Sequence, residues 1–450
     1  MWKAKSQAAS SLFIVVNSIS CFTLTLVLII NILYGQNEDP LAFENIVTIS
    51  VSYFGGLILS SIIGGTLLAK ILQKKSALLI WNLMGAFSCL LFYFFYSQTN
   101  LEIVNILSLI LGFSIGLGIP SCLALFATQS KTERRGRLGA VVFFTIQILT
   151  ALILLPLGGQ TIAFQFLIIA VWRLMGLGGF VFYESVERKP DERKTSLASI
   201  VRERKFILLF LPWFMFTLIN YIETPVLEIG MSSIAPDFYT NFNIVNIMII
   251  SIAAIPAGIL CDLKGRKITG IAGFIFLGLG YAVLSIFSGT GTFAYIFFMI
   301  LDGIAWGLLY VNFIFVIWGD LSEGSSREKY YVLGGLPFLL SGLIQVLVQP
   351  FAQYINIGLS FSFASFFLFI AMLPLVFAPE SLSDKIMKSR ELNTYIQKAL
   401  SAADKKKADG KKQPEETENK DSDQPENESD GNKQETDQDK KARELAEKYY

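Results

Sequence analysis

The residues best suited to chemistry in this chain are ionisable ones set in or against long apolar runs. Between two such runs lies Gly258-Ile259-Leu260-Cys261-Asp262-Leu263-Lys264-Gly265-Arg266-Lys267. The acid and bases of this turn can form a charge clamp, while Gly258 permits close helix approach and Gly265 a tight turn. The same residues also fit a generic basic loop at a membrane surface. Asp320, Arg327 and Glu380 border later runs and can join the clamp, or stand as independent solvated charges. Three more ionisable residues stand out within runs: Asp302, Glu223 and Arg173. At about 1.5 Å per helical residue, Asp302 is about 13 Å into its run and Glu223 about 26 Å into its own. A carboxyl removed from water at such depth can load and release a proton. Asp302 equally suits pinning a Gly-rich helix crossing, and Glu223 suits simple exposure near the outer rim. Arg173 fits a substrate anion or acid partner, or a structural or snorkelling arginine. Neutral groups able to bind a small polar molecule are Asn17, Ser20, Gln147, Asn220, Tyr221, Tyr310, Asn312, Gln345 and Gln349. Trp213 and Trp306 can stack on a ligand ring. Amides in apolar helices also serve helix–helix hydrogen bonds.

These residues need a membrane to hold them. Of 450 residues 53% are hydrophobic and 16% charged, a balance that excludes an ordinary soluble domain. The net charge of +1 averages an apolar body, residues 1–380, with a polar tail, so it carries no sign of a nucleic-acid partner. With no His, zinc sites built on His, Ser-His-Asp hydrolysis and His proton relays are excluded. Cys21, Cys89, Cys122 and Cys261 lack paired spacing and read as small core thiols. No metal and no cofactor are expected, and the lack of a phosphate-binding Gly-Lys loop excludes ATP-driven transport by this chain.

Runs of roughly 17–25 apolar residues cross a bilayer. Twelve are read here: 12–33, 45–69, 77–97, 103–128, 138–158, 161–183, 206–228, 243–262, 268–288, 293–319, 331–352 and 357–378. The first is too long for a cleaved signal. Every Lys and Arg except Arg173 falls in the N-terminus, an even-numbered connection or the C-terminal tail. That segregation places both termini in the cytoplasm of a multi-pass protein of the cell membrane. The expected divisions are a six-helix bundle at 1–183, a charged linker at 184–205 with room for a short surface helix, a second bundle at 206–382, and a mostly disordered tail at 383–450. Residues 382–400 can form a short amphipathic helix on the membrane surface.

A shift of about 193 residues brings Gly65 onto Gly258, and one of about 191 brings Gly112 and Gly116 onto Gly303 and Gly307, an internal repeat. The pattern Gly258-x-x-x-Asp262-x-x-Gly265-Arg266-Lys267 resembles the loop signature between helices 8 and 9 of the major facilitator superfamily. Arg134-Arg135-Gly136-Arg137 resembles the family's R-G turn. The Asp320–Arg327 spacing and Pro379-Glu380-Ser381 are similar to motifs of its sugar porters, and Glu184-Ser185 matches in part. The repeat departs from symmetry where Ala69 matches Asp262 and Thr128 matches Asp320. Leu155-Pro156-Leu157-Gly158-Gly159 holds only part of the family's antiporter signature.

The resemblance implies an all-α membrane protein of twelve transmembrane helices, in two six-helix bundles related by a pseudo-two-fold axis. Spans 1, 4, 7 and 10 would line a central cavity shared by Asp302 and Glu223. The protein would move a small-molecule substrate by alternating access, as a monomer, with sugar or organic acid uptake favoured and protons as the coupling ion. Asp262, Arg266, Asp320, Arg327 and Glu380 would tie the second bundle shut in the outward-facing state. The alternatives are an efflux antiporter for lipophilic compounds and a non-transporting sensor signalling through its tail. An enzyme is not expected, given no His, no Cys pairs and no clustered acids.

Overall fold

The computed structural model describes residues 2–34, 41–72, 74–97, 100–184, 195–235, 238–322 and 326–382, with Leu392, Tyr395, Ile396, Ala399 and Ser401 beyond them. It divides into two units, Met1–Met387 and Lys388–Tyr450. In the second, the described residues are helical and exposed. The rest of the expected tail, most of the expected surface helix at 382–400 and the charged part of the linker, 185–194, lie outside the described residues.

The first unit is built from twelve helices long and apolar enough to cross a membrane. The first six are α1 (Ser6–Tyr34), α2 (Phe43–Thr66), α3 (Lys75–Phe95), α4 (Leu101–Gln129), α5 (Thr132–Leu157) and α6 (Ile162–Phe180). The second six are α7 (Arg204–Ser232), α8 (Phe242–Lys264), α9 (Arg266–Phe287), α10 (Thr292–Leu321), α11 (Arg327–Tyr354) and α12 (Ile357–Phe377). Among the described residues no strand occurs. Hydrocarbon offers backbone groups no partners, so each span must satisfy its own in a helix. Large exposed apolar side chains such as Leu59, Phe87, Leu152, Ile252, Ile286 and Phe363 stud the outer surface. So much apolar area is stable against lipid and not against water, and the chain is an integral multi-pass membrane protein. Between the two sets of spans, the expected surface helix occurs as Leu197–Val201, held by a reciprocal Ser196–Ser199 capping box.

Glycines set the closest packing. A Cβ on Gly112 would overlap the Tyr53 carbonyl of α2; one on Gly303 would sit 2.5 Å from Ile249 Cγ2 of α8. These are repeat-related positions, so α4 meets α2 as α10 meets α8. The halves themselves meet along two seams, α5 against α8 and α2 against α11. On the first seam a Cβ on Gly258 would lie 2.6 Å from the Gly136 carbonyl; on the second, one on Gly65 would enter the Val332 side chain. Two irregularities shape the site. In α4 the helix breaks at Gly118, where the Trp81 ring occupies the space of a Cβ, and restarts with Pro120 in its first turn. In α10, Val311–Val316 form a π-helical turn, a local widening that often accompanies functional sites.

Candidate functional site

A cavity of about 500 Å³ lies between the halves, lined from α1, α4, α5, α7, α8, α10 and α11 with smaller contributions from α2 and α9. Asp302 is in its wall. Its carboxylate accepts from Asn246 Nδ2 at 2.6 Å and from Trp306 Nε1 at 2.8 Å. The Trp306 ring meets Tyr310 edge-on at 4.6 Å, so the indole that holds the acid is itself held. Gln147, Asn220, Tyr221, Trp306 and Tyr310 line the cavity as expected from their types, and so does Trp213, whose Nε1 donates to the Gly334 carbonyl.

Other candidates sit elsewhere. Glu223 is not in the lining; both its oxygens accept from Ser360 Oγ at 2.8 Å, pairing α7 with α12, so the two acids do not share one chamber. Asn17 donates to the Trp172 carbonyl at 2.7 Å and joins α1 to α6. Asn312 donates to the Arg266 carbonyl and accepts from Cys261 Sγ, because the π-helical turn carries it toward α8 and α9. Gln345 is absent from the lining, and Gln349 donates to Glu228. Arg173 is buried inside the first six spans, its guanidinium 4.4 Å above the Trp81 ring and its carbonyl bonded by Asn82. On α6, which packs against α1 and α3, it is not among the residues that line the cavity. The four cysteines are free and buried.

At the end of the molecule that carries the basic connections, the clamp residues converge. Gly265 adopts φ 104° and turns α8 directly into α9, as its type requires. Glu380 accepts from the backbone N–H of Arg266 at 2.9 Å and of Lys267 at 3.2 Å, capping the N-terminus of α9. The Lys267 ammonium reaches the Val376 carbonyl. Asp262, fully buried, accepts from the backbone N–H groups of Gly136 and Arg137 at 2.9 and 3.0 Å and from Arg137 Nε at 3.1 Å. Both N–H groups belong to the first turn of the α-helical part of α5, in the other half of the chain. Arg266 pairs with Asp320 at 2.8 Å and donates to the Thr132 carbonyl, also in the first half. Asp320 pairs as well with Arg135.

Within the second half the expected network forms, with Arg266 pairing with Asp320 at 2.8 Å and with Asp262 at 3.4 Å, but it does not stop there. The clamp joins the two halves, and its main new members are Arg135 and the N-terminus of α5. Nor does Asp320 take Arg327 as its partner: Arg327 Nη1 donates to Thr128 Oγ1 at 2.9 Å. Arg135 and Arg327 are repeat-related, as are Thr128 and Asp320, so each arginine reaches the acid position of the opposite half. The first half offers a hydroxyl there. At the other end of the molecule the contacts between halves include neutral ones, Tyr34 Oη to the Val346 carbonyl at 3.0 Å and Phe43 edge-on to Phe351.

The sequence profile of the Major Facilitator Superfamily matches residues 9–317. The chain belongs to that family. No curated protein sequence matches it. Solved structures similar to this facilitator include the human organic anion transporter MFSD10 (TETRAN), at 14% identity and TM-score 0.62, covering 83% of this chain and 99% of that one. The proton:xylose symporter XylE gives 14% identity and TM-score 0.57 over 84% and 96%. The E. coli fucose:proton symporter FucP gives 13% and 0.62 over 83% and 98%. At such identities the likeness is one of fold, and the facilitator's two six-helix halves around a central cavity are that fold. Sequence reasoning missed Asn246, which stands in an apolar run as an ordinary helix-pairing amide, and the reach of Arg135, whose R-G turn was visible but not its partner.

Proposed function

We propose that this facilitator is a proton-coupled secondary transporter that carries a small organic solute through the central cavity by alternating access. The observation that supports it most is the placing of one acid, Asp302, in the wall of a cavity between two halves. An ionisable group there can exchange its proton with whichever side the cavity faces. Glu223, committed to Ser360, is the weaker candidate. The basic face is assigned to the cytoplasm of the cell, with both termini, by the distribution of Lys and Arg. The clamped structure then corresponds to a state closed toward the cytoplasm. Each chain holds a complete cavity, so a monomer suffices, and transport, not an enzymatic reaction, is its task. Uptake of a sugar or organic acid was the expectation from sequence; an organic acid finds no basic partner among the described lining residues.

Reconstitution tests the reading. In proteoliposomes a transported solute is expected to drive proton flux through the full chain. Asp302→Asn is expected to lose that flux while the protein stays folded by circular dichroism. Undiminished proton flux in the variant would remove Asp302 from the coupling step.

A further inference from the structure

We infer that the central cavity is built for a monovalent organic cation with an aromatic or aliphatic body, and that Asp302 is its counter-charge. The inference rests on the transport reading above and names its substrate class.

Charge comes first. Among the described lining residues Asp302 is the one charged side chain, and neither Lys nor Arg contributes. An anion would enter a site with an acid and no cation; a cation would find its complement. Asp302 is held by two donors that leave further acceptor capacity on its oxygens. Beside it, Asn246 Oδ1 is buried and has no donor among the described residues. An acid and an orphaned amide oxygen together call for N–H groups, which an ammonium supplies.

The surroundings agree. Tyr239, Phe242, Tyr281, Phe298, Trp306 and Tyr310 line the cavity, with Tyr281 and Phe298 rings 4.9 Å apart. Aromatic faces attract a desolvated cation and pack against its apolar body. A polyol fares worse, because many polar groups of the wall are already committed to the protein. The hydroxyls of Thr23, Ser61 and Thr224 bond helix carbonyls. The Asn220 amide donates to the Phe216 carbonyl and accepts from Tyr281. A neutral sugar would leave most of its hydroxyls unanswered.

One carboxylate serving both proton and cation makes the two mutually exclusive. Acidification therefore weakens cation binding through Asp302. The titratable groups that interact with it are the phenols of Tyr239, Tyr281 and Tyr310. Free phenols titrate near pH 10, well above the tested range. Asn246 and Trp306, its hydrogen-bond partners, do not titrate.

The test is a matched series on the purified full chain, read by quenching of tryptophan fluorescence and by calorimetry: 2-phenylethylamine, 2-phenylethanol, 3-phenylpropionate, fucose and xylose. At pH 7.5 the amine is expected to bind at least tenfold more tightly than the alcohol, with no binding of the carboxylate. Its affinity should fall at least threefold at pH 5.5. Asp302→Asn should remove both the preference and the pH dependence, while Asp302→Glu, which keeps the charge, should retain the preference. Equal binding of amine and alcohol, tighter binding of a sugar or the carboxylate, or no binding of the amine overturns the inference. The readings separate in proteoliposomes: a sugar that drives proton flux while the amine does not leaves the transporter standing and the cation assignment fallen. An amine that binds through Asp302 yet crosses with no solute of the series sustains the site and removes transport.

Discussion

Asp262 carries the connection between the halves on one carboxylate, with three donors from α5 and none of its area exposed. Hydrogen bonds to a charged group are worth about 1.5–3 kcal/mol each, against roughly 0–1 kcal/mol for a pair in water. Opening the clamp returns these charges to water, so the net hold is smaller than the sum. Asp262→Asn keeps one acceptor and loses the charge. It is expected to shift the population toward the state open at the basic face by about tenfold, or about 1.4 kcal/mol. Spin-label distances between α5 and α8 at that face measure it, and an unchanged distribution would discard the clamp as a gate. The converse variant is Thr128→Asp, which would give Arg327 the acid that Arg135 already has; it should favour the closed face in the same measurement. Arg173 shows the limit of residue-level reading. Its charge in an apolar run left a substrate role and a structural role both open, and its guanidinium lies over Trp81 within the first half.

Helices approach closely here because particular positions carry no Cβ. On the α5–α8 seam Gly136 and Gly258 face each other, and a Cβ on Gly136 would lie 2.7 Å from Asp262 Oδ1 and 2.8 Å from the Gly258 carbonyl. Backbone cannot yield as a flexible side chain can. Gly136→Val and Gly258→Val are therefore expected to part the seam at the basic face and reduce transport at least tenfold, with the protein still folded by circular dichroism. Gly178→Ala, with nothing within 4 Å of its Cβ, is the control and should transport normally. Wild-type activity in Gly136→Val would mean that the seam tolerates separation. Along α10, the π-helical turn does a related job. It swings Asn312 toward the Arg266 carbonyl while Asp302, Trp306 and Tyr310, before it, stay on the cavity wall.

At the scale of the molecule, the repeat is geometrically faithful and chemically lopsided. Both seams use a glycine, Gly258 and Gly65, but only the second half supplies Asp262 and Asp320, where the first has Ala69 and Thr128. The closed basic face is thus held by ion pairs along α5–α8, and on the α2–α11 side by close packing at Gly65 and by Arg327 donating to the neutral Thr128 of α4. Deleting residues 401–450 removes no described element of this machinery and is expected to leave initial transport rates within about twofold of wild type. Loss of transport in reconstituted vesicles on that deletion would favour the sensor alternative. The exposed apolar surface predicts aggregation without lipid or detergent, as any bilayer-facing surface must.

Fold class, span number and the place of the clamp were legible in the sequence because each rests on a local property. Apolar length dictates a helix that crosses lipid, and Gly265 can take a positive φ that other residues resist. Asp302 was legible for the same reason: an acid in an apolar run needs partners wherever it folds. What such reasoning could not supply is which helices meet, within a half or across the two. Asp262 pairs with α5, Arg135 with Asp320, Glu223 turns to Ser360 rather than the cavity, and Asn246 joins Asp302. Each of these joins helices distant in the chain, and the rotation of a helix about its axis is set by packing against its neighbours, which only the tertiary structure decides.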